Sequence, residues 1–125
     1  MPGRLRLADP SDVAASLRHL DAVEDPSLAG ADPADVRLLV RHSLAKLAGN
    51  APGRSVEVRV PPYAAVQCVP GPRHTRGTPP GVVETDPATW LQLARGRLSW
   101  EDAVASGRIS ASGERTDLGQ FLPLL

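Results

Sequence analysis

The sequence is poor in aromatic residues: two Trp, one Tyr and one Phe make up 3% of 125 residues. It has one cysteine, Cys68, which excludes an intramolecular disulfide and fits a reducing compartment, so the expected location is the cytoplasm. Net charge is also missing, because 14 basic side chains face 14 acidic ones. That balance removes the electrostatic drive toward nucleic acid or an anionic membrane unless the charges are segregated on the surface. No apolar run approaches the roughly 20 residues that span a bilayer, and the opening MPGRLRLADP has no stretch of signal-peptide length. Lys46 is the sole lysine, and the abundance of Ala, Gly and Pro beside so many arginines reads as a codon bias toward GC, which weakens any functional reading of the arginines. What remains is a chain long enough to bury about two thirds of its unfolded surface in one domain.

Asp-Pro pairs at Asp9, Asp25, Asp32 and Asp86 punctuate the chain. An Asp N-cap accepts an otherwise unpaired backbone N–H, and a following Pro has none to satisfy. Val13, Leu17 and Leu20 predict a short helix after Asp9 that ends near Ala22, and residues 24–31 read as a loop. From Asp32, Val36, Leu39, Val40, Leu44 and Leu47 share one helical face, stopped by Gly49 to Gly53. Ser55 to Val60 alternates as a half-buried strand, and Tyr63 to Val69 is a second extended run beyond Pro61 and Pro62. Val82 to Thr85 predicts a strand leading into a helix at Asp86-Pro87 that carries Trp90, Leu93 and Ala94 on one side and ends at Gly96. Ser99 and Asp102 form a capping pair for a further short helix with Trp100, Ala103 and Val104 inward, ended by Gly107. Arg108 to Gly113, where Ile109 and Ala111 alternate with polar neighbours, predicts the last strand, and Leu118, Phe121 and Leu122 predict a closing amphipathic helix. No repeat is visible.

Two constellations carry chemistry. The segment GPRHTRGTPP sets Arg73, His74, Thr75, Arg76 and Thr78 on a glycine-containing loop, a cluster suited to a carboxylate or phosphate; the alternative is an ordinary solvated turn. It is not a Walker loop, because the lysine and its spacing are absent. Trp90, Trp100 and Phe121 lie on inward faces of the C-terminal helices, where with Leu93, Val104 and Leu122 they either line an apolar pocket or fill the core. Cys68 and His74 invite a nucleophile-and-base reading, but no acid stands out to orient the imidazole, and a buried strand cysteine acting as a small hydrophobe is the simpler reading. Three scattered histidines and one cysteine show no metal-ligand spacing, and no cofactor motif appears.

From Gly81 to Leu125 the order is a strand, an acid-capped helix, Gly96-Arg97-Leu98, an acidic helix, Ser106-Gly107-Arg108-Ile109, Ser112-Gly113 and a leucine-rich finish. With the run from Val58 added, the whole chain resembles the small bacterial sterol carrier family proteins that occur as free-standing single domains. That resemblance implies an α/β (α+β) fold, with a mostly antiparallel five-stranded sheet and helices packed mainly on one face. It also implies one domain over residues 1–125, with an N-terminal helix and loop at 1–31 and the core at 32–125. Related domains form the C-terminal part of mycothiol-dependent maleylpyruvate isomerase-like proteins, whose metal-binding helical domain has no counterpart here, so a non-enzymatic protein is expected. The resemblance implies a carrier or sensor for a fatty acyl or other lipid-like ligand. The alternative is an interaction or accessory module with a filled core that binds a protein partner or small anion through Arg73 to Pro80. A dry pocket of roughly 500 Å³ would cost on the order of 12 kcal/mol, at about 24 cal/mol per Å³, so any tunnel is expected to be occupied, hydrated or collapsed.

Overall fold

The computed structural model describes residues 5–71 and 80–125. The chain runs α1 (Pro10–Asp21), α2 (Pro33–Asn50), β1 (Val56–Val60), β2 (Ala64–Cys68), β3 (Gly81–Thr85), α3 (Pro87–Ala94), α4 (Trp100–Ala105) and β4 (Ile109–Gly113), then a 3-10 turn at Gly119–Phe121. Each helix starts at the cap its sequence announces. The carboxylates of Asp9, Asp32 and Asp86 accept from the N–H groups of Ser11, Ala34 and Thr89, and the Ser99 hydroxyl accepts from that of Asp102. The fourth Asp-Pro pair starts no helix: Asp25 accepts from the Ser27 N–H and hydroxyl and closes a turn.

The four strands form one mixed sheet in the order β2-β1-β3-β4. β1 pairs antiparallel with β2 and parallel with β3, and β3 pairs antiparallel with β4. The fold class is therefore α+β, but the five antiparallel strands implied by the resemblance are corrected to four with a parallel pair at the centre. The described residues supply only four extended segments, and the segment preceding α2 is itself a helix.

Strand alternation divides the sheet into two faces. Val56, Val58, Val60, Cys68, Val83 and Thr85 are buried, while Arg59, Ala65, Gln67, Glu84, Ser110 and Ser112 lie exposed on the other face. The buried face meets Leu39, Val40, Leu44 and Leu47 of α2 and Trp90, Leu91 and Leu93 of α3 in one core. Two glycines let the chain close over the end of this face. A Cβ on Gly81 would collide with the Glu114 carbonyl oxygen, and Gly113, at φ +86°, turns against the Pro80 carbonyl.

Ala111, although it alternates with polar neighbours, is exposed, because the helices cover β4 only near Ile109. Two further expectations are corrected. Val104 is 46% exposed: Ala103 is the buried contact of the six-residue α4, and the next residue lies about 100° round the helix. The closing amphipathic helix is a single 3-10 turn. Pro123 biases Leu122 to extended backbone, and the N–H groups of Leu124 and Leu125 both donate to the Ala94 carbonyl, drawing the chain end across the finish of α3.

Candidate functional site

The site is built where the C-terminal segment crosses the helices. α3 ends with Gly96 at φ +73°, its N–H donating to the Leu93 carbonyl, and the Arg97-Leu98 link turns the chain into α4. Across this link lies the 3-10 turn, fastened by the Asp117 carboxylate, which accepts from the Gly119 N–H at 2.9 Å. Gly119 allows the close approach, because a Cβ there would sit 3.2 Å from the Cβ of Trp100. Between these elements opens a cleft of about 450 Å³, with Leu93, Leu98, Trp100, Leu122 and Pro123 as apolar walls and Arg97, Glu101, Asp117 and Gln120 as polar ones.

Arg97 is already engaged on one side. Its guanidinium lies 3.0 Å from Asp21 of α1, whose carboxylate also receives Arg95. Burial and the neighbouring Arg97 charge lower the Arg95 pKa, against the opposing pull of Asp21. A shared carboxylate thus ties α1 to the mouth of the cleft.

A second cleft, about 460 Å³, lies on the other side of Asp117 and Gln120, which line both. Its walls are the end of α2 at Asn50 and Ala51, then Pro52, Val69, Pro70, Arg115 and Phe121. Val69 and Arg115 hold left-handed backbone, at φ 69° and 59°. That conformation is strained for a β-branched residue, and hydrogen bonds hold Val69 there. Its N–H donates to the Ala51 carbonyl at 2.7 Å, while its carbonyl accepts from the Ser55 hydroxyl and N–H. Both clefts open to solvent, so the cost of a dry enclosed cavity does not arise.

The aromatic set divides. Trp90 is fully buried in the core, its indole N–H donating to the Ser43 hydroxyl at 2.8 Å, and it lines neither cleft. Leu93, Trp100 and Leu122 meet in the first cleft and Phe121 lines the second. Val104 lines neither. The anion-loop residues Arg73, His74, Thr75, Arg76 and Thr78 lie outside the described residues. Asp117, Gln120 and Pro123 were missed because they belong to no periodic face. Arg97 and Leu98 had a signal, the Gly-Arg-Leu step that carried the family resemblance.

Cys68 is fully buried on β2, and burial pushes its thiol up to about 12, so at neutral pH it is neither thiolate nor nucleophile. Among the described residues, no cluster of three His, Cys, Asp or Glu is arranged to hold a metal, and no helix is long and apolar enough to cross a membrane.

The family described as bacterial SCP ortholog matches residues 32–124. The chain belongs to this bacterial sterol-carrier-protein-like family. No curated protein matches the chain. The SCP match begins at Asp32, the N-cap of α2, and takes in the whole sheet and both clefts, leaving α1 outside it.

Proposed function

We propose that the protein is a non-enzymatic carrier or sensor of an acyl-like amphipathic ligand, held in the cleft of Leu93, Leu98, Trp100 and Leu122. One observation carries the reading: a half-buried tryptophan and several leucines share a cleft whose volume, about 450 Å³, falls in the range of small-molecule sites. Apolar walls would take the chain, and the Arg97 guanidinium at the rim would meet an anionic head. Family membership supports a lipid-like ligand, and the open geometry suits one that must enter and leave.

Native against denaturing mass spectrometry of the purified protein, followed by titration with a fluorescent fatty acid, tests this. The expected result is saturable probe binding that quenches Trp100 and is lost in Trp100→Arg, with the fold intact by circular dichroism. No saturable binding to the parent protein would overturn it and leave the filled-core interaction module, with its Arg73 to Pro80 loop, as the reading to pursue.

A further inference from the structure

The mouth of the first cleft holds two guanidiniums and one carboxylate. Asp21 accepts from both Arg95 and Arg97, so one positive charge is left over where α1 meets the end of α3. The two arginines are not equivalent. The Arg95 side chain is 10% exposed and largely enclosed, whereas that of Arg97 is 58% exposed and lines the cleft. Among the described residues lining that cleft, Arg97 is the one cation, while Glu101 and Asp117 would repel an anion from the remainder.

Asp21 stands against the preference of its own helix. It is the last residue of α1, where the backbone carbonyls concentrate partial negative charge and disfavour a carboxylate. The two guanidiniums offset that cost. Other residues seat α1 on α2: Leu20 is buried, the Ser16 hydroxyl donates to the Asp35 carboxylate at 2.8 Å, and His19 lies 3.0 Å from the same carboxylate. Beyond α1, the Pro26 carbonyl accepts from the Gln92 amide of α3 at 3.0 Å, which holds the following loop on the same side. The helix is therefore docked independently of Asp21, and its last residue is presented to α3.

We propose, on the carrier reading, that Asp21 is a built-in competitor for the ligand's head group: it holds Arg97 until an anionic head takes that guanidinium, and it stays on Arg95 after the exchange. An exposed ion pair is weak enough to be exchanged, and the enclosed Arg95 keeps the carboxylate in place. Asp21 thereby lowers the affinity of the cleft for an anion without touching its apolar walls. It sets how strongly the site prefers a charged head to a neutral one on the same chain. Because α1 lies outside the residues that the family matches, this control is an addition to the family-matched core.

Titration of the parent, Asp21→Asn, Arg97→Gln and the double variant tests the proposal, with a fluorescent fatty acid, ionised at neutral pH, and its primary amide as probes. Asparagine keeps an acceptor for Arg95. The acid should bind Asp21→Asn about twofold to fivefold more tightly than the parent, the worth of an exposed ion pair, with the amide unchanged. In the Arg97→Gln background the same substitution should leave the acid-to-amide ratio where it was, because Asp21 acts through Arg97. A ratio indifferent to Asp21→Asn would overturn the proposal and leave the carrier reading standing. So would a change that persists in Arg97→Gln, since it would come from the field of the carboxylate alone. Acid binding that appears only after Asp21→Asn would support the proposal. Binding of neither probe to any of the four proteins would overturn the carrier reading and the competitor with it. If Asp21→Asn does not fold, the side-chain nitrogen-15 spectrum of the parent decides: the Arg97 Nε signal should shift on adding the acid while that of Arg95 holds, and an unmoved Arg97 signal would overturn the proposal.

Discussion

Trp90 and Trp100 sit on consecutive helices, each near the start and each predicted to face inward, yet they have opposite fates. Trp90 is enclosed by α2 and the sheet and spends its one polar group on Ser43. Trp100 lies half-buried at the mouth of a cleft, against a glycine turn. Which face a residue takes is a property of its helix, whereas depth depends on what other segments lay over it. α3 packs against the longest helix of the fold, while six-residue α4 lies at the rim beside β4.

The contrast breaks most visibly by truncation. Trp90→Ala should cost about 3–5 kcal/mol in urea unfolding, the range for emptying a buried aromatic site. Trp100→Ala should cost about 1 kcal/mol or less. Equal losses would mean that the rim is as much a part of the core as the interior. Next in size is Ser43→Ala, which leaves the buried indole N–H without an acceptor and should cost about 1–3 kcal/mol, although it deletes a single oxygen. A neutral result would show that the indole finds water, and the interior would then be wetter than its burial indicates.

A reagent sharpens the same boundary. Cys68, fully buried with its pKa raised by desolvation, should react with a thiol-specific chromogen only as fast as the protein unfolds, and denaturant should speed the reaction in step with loss of structure. Rapid modification of the folded protein would open the interior side of the comparison.

The smallest effect belongs to the N-terminal segment, where the Nδ1 of His42 accepts the Ala8 N–H at 2.9 Å. Burial first, and then the charge of Lys46, lower the His42 pKa. The unfolded chain therefore binds the proton more readily than the folded one. The stabilisation is present above the ordinary histidine pKa, roughly 6.5, and is lost as pH falls through the lowered folded value. Amide exchange should show Ala8 protected at neutral pH and released at mildly acidic pH, while the Trp90 amide stays protected. Unchanged protection of Ala8 would show that the histidine does not hold the segment.

Much of the fold was legible because its signals are local. An Asp or Ser oxygen reaches a backbone N–H two or three residues on, so the starts of all four helices could be read from Asp9, Asp32, Asp86 and Ser99. Alternation at Val56, Val58 and Val60 announced a strand with one buried face. Where the chain must meet something distant, the reading stopped. Ala111 alternates like a core residue but sits at a sheet edge beyond the reach of the helices, and Phe121 and Leu122 repeat like a helix until Pro123 and the Ala94 carbonyl draw them straight. The division of the aromatic and leucine set between core and cleft was hidden for the same reason.

The sequence by itself determined the four capped helices, the four strands and the family, because those rest on contacts within a few residues or on the linear order of motifs. Tertiary structure alone decided that β1 lies between an antiparallel and a parallel neighbour, that Asp117 and Gln120 stand between two clefts, and that β4 is the last strand of the sheet among the described residues. Those outcomes depend on which distant surfaces exclude water from one another, and no local pattern encodes that competition.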